Sequence, residues 1–288
     1  MRFQVRHETA YRYEAPVVLS QQLLHLSPRP LPWQERNSHA IEVDPRPAES
    51  VERLDYFGNP VTQIALAVPH QSLAVRARTE VTVAPRPRPP AASPWEGLSE
   101  RLRAGGGAAL LEPEQFVFES PRVEIFRDVA AYGAKSFTRG RGVLEAALDL
   151  TRRIHAEFKF DPRATSVSTP LREVLQKRRG VCQDFAHLMI GCLRALGLAA
   201  RYVSGYILTT PPPGRPRLIG ADASHAWVSL WCGDAGWVDL DPTNDCLVDD
   251  EHITLAWGRD FSDVTPMRGV ILGGGEQELE VRVTVTPL

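Results

Sequence analysis

The sequence contains no CxxC pair, no apolar run long enough to span a bilayer, no repeat period and no surplus of either charge. Its four cysteines, Cys182, Cys192, Cys232 and Cys246, fall irregularly in the C-terminal half, so a disulfide framework is not expected. A zinc site drawn from Cys182, His187, His225, Cys232 and Cys246 would match no familiar ligand spacing, and no metal or other cofactor is implied. Basic and acidic residues number 33 and 35, and the arginines are scattered, which excludes nucleic acid as an expected partner. The opening Met1-Arg-Phe-Gln-Val-Arg-His alternates polar and apolar residues and lacks the apolar centre of a secretory signal. Neither export nor membrane insertion is therefore expected, and the cytoplasm is the default location. The absence of repeats excludes a solenoid or propeller.

What the chain does have is ample apolar content for a core, 43% of 288 residues, enough for one large or two modest domains. Residues 1–85 alternate in short runs such as Phe3-Gln-Val-Arg-His-Glu-Thr and Leu73-Ala-Val-Arg-Ala-Arg-Thr-Glu-Val, which predicts an all-β domain. Between residues 86 and 120 proline, alanine and glycine dominate, and the expectation is a linker or extended wrap. Residues 121–288 read as an α+β core. Helical spacing is clearest from Val143 to Phe158; Thr169-Pro170 opens a short helix, and a longer one begins near Cys182 and stops at Gly197. Strands follow at Ala200 to Leu208, His225 to Trp231, Trp237 to Asp241, and in Leu279-Glu-Val-Arg-Val-Thr-Val.

The chemistry concentrates around Cys182. Gly180 lets the chain turn, and the cysteine falls at the start of a helix, where free amides and the positive end of the dipole favour a thiolate. A thiolate nucleophile needs a base that can later protonate the leaving amine, and histidine suits that task near neutral pH. In Ser224-His-Ala-Trp-Val-Ser-Leu-Trp, period two places His225, Trp227, Ser229 and Trp231 on one face. After a five-residue turn, Trp237, Asp239 and Asp241 share a face as well. If Trp231 pairs with Trp237, His225 lies diagonal to Asp241, which favours Asp241 over Asp239 as the carboxylate that orients the imidazole. His187 sits on another side of the Cys182 helix and suits a supporting hydrogen bond. Each residue alone is more often structural than catalytic; their combination carries the reading.

Four separated segments, Gly180-Val-Cys-Gln-Asp-Phe-Ala-His, Ala200-Arg-Tyr-Val-Ser-Gly-Tyr, Ser224-His-Ala-Trp and Gly236-Trp-Val-Asp-Leu-Asp-Pro-Thr-Asn, resemble the bacterial transglutaminase-like proteins in content and order. Asp55-Tyr-Phe-Gly-Asn and Asp263-Val-Thr-Pro-Met-Arg-Gly-Val resemble the flanking parts of the same group, so nearly the whole chain is covered. The resemblance implies a papain-like α+β core behind an N-terminal β domain, with Cys182 as nucleophile, His225 as base and Asp241 as orienter. It also implies peptide or protein substrates and amide hydrolysis or acyl transfer through a thioester, with protein-glutamine cross-linking as an alternative; a non-catalytic peptide-binding protein with an unused triad is the rival reading from another class. Oligomeric state is left open. The tryptophan that precedes the nucleophile in the animal enzymes has no counterpart between Trp95 and Cys182, and Ser229 stands where the group often has glutamate. No calcium-ligand spacing is present. Gln176, six residues before Cys182, together with Gln183, Asp184, His187 and Trp227, completes the candidate supporting or substrate-binding residues. An apolar slot lined by Trp227 and Trp237 and a plain core are equally open readings of those aromatics.

Overall fold

A computed structural model describes residues 1–87, 89, 93–208 and 224–288. The tail of the Pro-Arg-Pro-Arg-Pro-Pro run lies partly outside them. Five strands of the seven-stranded first sheet are β1 (Arg2–Leu24), β2 (Gln34–Asp44), β3 (Glu49–Leu54), β4 (Pro60–Leu66) and β5 (His70–Val83), in the antiparallel order β2-β5-β1-β4-β3. Along β1, Phe3, Val5, His7 and Thr9 are buried at every second position. One face of the sheet thus packs on the rest of the molecule, as strict alternation requires.

The helical layer comprises α1 (Trp95–Ala104), α2 (Leu111–Glu114), α3 (Arg127–Ala134), α4 (Val143–Glu157), α5 (Leu171–Lys177) and α6 (Cys182–Ala195), with short strands β6 (Lys159–Phe160) and β7 (Arg179–Gly180) beside α5. Every residue of α6 from Asp184 to Arg194 is buried, so this helix forms the centre of the core. Burying a side chain such as Phe185 or Met189 contributes about 2 kcal/mol, before the cost of ordering it. Five strands make the second sheet: β8 (Ala200–Ile207), β9 (Ser224–Trp231), β10 (Trp237–Asp241), β11 (Cys246–Leu247) and β12 (His252–Gly258), in the order β11-β10-β9-β8-β12. A single-turn helix, α7 (Phe261–Val264), leads to β13 (Met267–Gly273) and β14 (Gln277–Pro287).

The fold is α+β, an all-β domain against a papain-like core. The sheets do not follow the expected partition at residues 86 and 121. β13 and β14 hydrogen-bond to β1, so the last strands, expected with the catalytic core, belong to the first sheet. Alternation identifies a strand but not the sheet edge it will join. Residues 86–120, expected as a linker, carry α1 and α2, and Phe116 is fully buried in the main core.

The two parts meet along β12, an edge of the second sheet. Gln34 closes two bonds with the Thr254 backbone, accepting from its N–H and donating to its carbonyl, each at 2.8 Å. Asn59 does the same at Trp257, accepting at 2.9 Å and donating at 2.8 Å. Side-chain amides thus satisfy backbone groups that an edge strand would otherwise leave open. Asp55 explains its motif here: its carboxylate accepts from the Phe57 and Asn59 backbone and from Asn59 Nδ2, all at 2.8 Å, and fixes the amide that caps β12. No helix among the described residues is long and apolar enough to cross a membrane.

Candidate active site

Local chemistry explains where Cys182 sits. Asp184 turns back to the helix start, its Oδ2 accepting from the Val181 backbone N–H at 2.8 Å and from Thr165 Oγ1 at 2.7 Å. This is half of a capping box: it satisfies one free donor and puts negative charge in the first turn. Burial pushes the Asp184 carboxyl up, against these hydrogen bonds from Thr165 and Val181. The cap requires glycine two residues before the cysteine, because a β-carbon at Gly180 would lie 2.6 Å from Asp184 Oδ2. Cys182 itself remains partly exposed.

Strands β9 and β10 supply the other two groups. Trp231 pairs with Trp237 and Ser229 with Asp239, the register that the hairpin arithmetic requires. At the far end His225 Nε2 lies 2.7 Å from Asp241 Oδ2. Cys182 reaches the same ring as a side-chain hydrogen-bond partner. Burial disfavours charge on His225, but the hydrogen bonds and charges of Asp241 and Cys182 outweigh it and lift the imidazole to about 10.

Asp241 is completely buried and fully occupied. Its Oδ1 accepts from the backbone of Thr243 at 2.8 Å and of Asn244 at 3.2 Å. Its Oδ2 accepts from His225, from Asn244 Nδ2 at 2.7 Å and from His252 Nε2 at 3.2 Å. Burial alone would raise this carboxyl. The donors, His225 and His252 foremost, instead hold it far below the usual carboxylate range. The carboxylate is therefore a fixed charge, and both histidines donate to it from Nε2.

The remaining sequence candidates serve other purposes. Trp227 is fully buried among Val203, Val248 and Trp257 and donates from Nε1 to Asp239 at 3.2 Å, so it is core on the triad's side of the sheet. Gly205 makes room for it: a β-carbon there would come within 2.5 Å of the indole. Trp237 is part-exposed and packs edge-on against Phe116. His187 accepts from the Phe261 backbone N–H at 3.2 Å and faces Tyr202, joining α6 to α7; burial lowers it to about 3, against the pull of Asp260. Among the described residues, Gln183 reaches only the Val167 carbonyl, at 3.5 Å. Gln176 is exposed on α5 and lines a separate cleft with Phe126, Lys135 and Arg172, so the structure does not join it to the triad.

His252 and Asn244 had no assigned role in the sequence. Asn244 ends the quoted Pro-Thr-Asn segment, and His252 opens an apolar strand where nothing but its residue type distinguishes it. Among the described residues, the group of ligand-type side chains that converges is His225, Asp241 and His252, with no cysteine in it. Ligand atoms around a tetrahedral zinc stand about 3.3 Å apart, given bonds of about 2.0 Å. The 2.7 Å between His225 and Asp241 is shorter than that and is the length of a hydrogen bond to a carboxylate.

Two family models match the chain: the bacterial transglutaminase-like N-terminal region over residues 3–82 and the transglutaminase-like superfamily over residues 132–242. The second spans Cys182, His225 and Asp241. The chain belongs to the transglutaminase-like superfamily. An uncharacterized relative in Mycobacterium tuberculosis is 41% identical over 296 residues, covering 99% of this chain and 93% of its own. A Pseudomonas aeruginosa protein named protein-glutamine gamma-glutamyltransferase is 37% identical over 103 residues, 35% of this chain and 15% of that one. A crystal structure from Cytophaga hutchinsonii, described as a candidate cysteine protease, shares the fold with a TM-score of 0.78 at 19% identity, over 99% of this chain and 90% of that one. This transglutaminase-like chain therefore keeps the two-part architecture across its whole length, with its cysteine, histidine and aspartate at the junction of helix and sheet.

Proposed function

We propose that the protein is a thiol enzyme that breaks amide bonds in peptide or isopeptide substrates through a thioester on Cys182. One observation carries the reading: the cysteine at the start of α6 meets a histidine whose other nitrogen is held 2.7 Å from a buried carboxylate. With Nε2 committed to Asp241, His225 Nδ1 takes the thiol proton. The sulfur attacks the substrate carbonyl, forming a C–S bond and moving the π electrons onto oxygen. Backbone N–H groups in the first turn of α6, which have no intrahelical partners, are placed to hold that oxyanion. Collapse expels the amine, which takes its proton from His225, and leaves the thioester. Water then attacks, giving up a proton to His225, and the carboxylic acid leaves as the thiolate is restored.

Water needs no binding site of its own, so hydrolysis is the reading adopted. Amine transfer is the second reading, and the likeness to a named gamma-glutamyltransferase supports keeping it. Mass spectrometry of peptide and glutamine-bearing protein substrates, with and without excess primary amine, separates the two. Free acid unaffected by amine indicates hydrolysis, and amine incorporation indicates transfer. Cys182→Ser should abolish both. The reading fails if iodoacetamide at pH 6 labels Cys182 no faster than the other part-exposed cysteine, Cys246, whose thiol burial and nearby acidic groups raise to about 12.

A further inference from the structure

The Asp241 carboxylate serves two imidazoles, and the proposed mechanism uses only one. His252 stands on β12, the strand whose backbone the first domain caps through Gln34 and Asn59. Its Nε2 lies 3.2 Å from Asp241 Oδ2, the same oxygen that holds His225. Its ring packs edge-on against Trp227, with centroids 5.3 Å apart. The side chain is 4% exposed, and Nδ1 is buried with no hydrogen-bond partner among the described residues. A carboxylate only accepts, so the proton of neutral His252 must sit on Nε2, leaving Nδ1 an unpaired acceptor at a real desolvation cost. A leucine would fill the space without that cost. What the imidazole adds is a directed N–H to the catalytic carboxylate.

We propose that His252 is a positioning residue that locks the Asp241 carboxylate through the same oxygen that holds His225, its ring centroid 6.1 Å from that of His225, and so fixes the imidazole facing Cys182. The assignment rests on the thiol-enzyme reading above and deepens it. His252 touches neither thiol nor substrate; it acts through Asp241. Among the described residues, the groups that bond that oxygen are His225, His252 and the neutral Asn244, and the Cys246 thiol, paired with Asp241 across the sheet, is the further titratable group that feels its charge. Because β12 is held by Gln34 and Asn59, the first domain supports the triad through this residue, which gives that domain a part in the chemistry beyond scaffolding.

The test compares wild type, His252→Gln and His252→Leu by the rate of Cys182 alkylation with iodoacetamide from pH 5 to pH 9, read by peptide mass spectrometry. Losing one hydrogen bond to the carboxylate should slow alkylation at pH 6 by about tenfold in His252→Leu and move its acid limb to higher pH. Glutamine, which offers an N–H at similar reach, should recover most of the rate. Profiles of folded His252→Leu and wild type that superimpose overturn the proposal, as does failure of glutamine to do better than leucine. A second measurement needs no variant. Nitrogen-15 NMR of the intact protein should show His252 with a proton on Nε2, and a proton on Nδ1 with Nε2 bare overturns the proposal even if both variants fail to fold. An unreactive Cys182 in wild type would count against the thiol-enzyme reading alone, because the tautomer measurement still decides the role of His252.

Discussion

Arg86 Nη1 donates to Asp239 Oδ2 at 2.6 Å, joining the segment after β5 to the strand that ends in Asp241. Both side chains are largely buried, and Asp239 also takes the Trp227 indole N–H. Arg86 further stacks over Trp33, while its backbone N–H donates to Asp249. Burial raises the Asp239 carboxyl, but Arg86 and Arg201 more than offset it, so the group stays charged.

Removing Arg86 should therefore strand a buried charge. Arg86→Ala is expected to cost about 3 kcal/mol in a urea melt, the scale of breaking a buried ion pair by deleting one partner. Arg86→Ala with Asp239→Asn should recover part of that loss. Equal stability of the single and double variants would refute the pairing as a source of stability.

Gly180→Ala tests the helix start. The added carbon meets the Asp184 carboxylate at 2.6 Å, so cap and turn cannot both survive. Thermal melts should show a loss of about 1 kcal/mol, the worth of a helix cap. Cys182 labelling should slow as well, because the cysteine leaves its place against His225. Asp184→Asn, with the cap kept in part, should fall between glycine and alanine.

Asp241→Asn keeps the shape but turns an NH2 donor toward groups that are themselves donors. Both histidines lose their fixed tautomer, and turnover of any amide substrate should drop by about 10⁴-fold, the scale seen when a triad carboxylate is amidated. Steady-state kinetics decide it, and a loss of tenfold or less would remove Asp241 from the role of orienter.

The pH dependence of stability carries the signature of His225. Its pKa rises from 6.5 to about 10 on folding, so between those limits the folded state holds more proton than the unfolded chain. Stability from this group is complete below 6.5 and is lost as the pH climbs through 10. The difference in unfolding free energy between wild type and His225→Ala should accordingly be largest near pH 6 and shrink toward pH 10. A difference that grows with pH would show the imidazole to be neutral in the folded protein.

His187→Ala separates structure from chemistry on the same helix. It leaves the Phe261 N–H without its acceptor and should cost roughly 1 kcal/mol. Since the imidazole is lowered to about 3, wild-type stability attributable to it is complete above 6.5 and lost as the pH falls toward 3. The pH profile of Cys182 labelling should not move.

Much of this site was legible because its order in the chain is local. Period two put His225, Trp227 and Ser229 on one face, and a short turn fixed the hairpin register that sets Asp239 opposite Ser229. Cys182 announced itself through Gly180 and the apolar helix that follows. His252 gave no such signal, since its partner is reached only when β12 crosses to the far side of β8, a tertiary fact that no local spacing encodes. Asn59 was equally silent: its motif was visible, but its task of capping Trp257 depends on the meeting of two domains. The sheet membership of β13 and β14 was lost for the same reason.

The pairing of β1 orders the birth of the molecule. The first half of β1 runs between β5 and β14, and its second half between β4 and β13. A ribosome delivers β1, β4 and β5 early but releases β13 and β14 only after the whole catalytic core. Throughout that interval the earliest strand exposes one bare edge, and the core must fold while only its N-terminal end is tethered to an unfinished sheet. Trimming the last eleven-residue strand would therefore injure the opposite end of the sequence, along Phe3 to Tyr13, before it touched the triad.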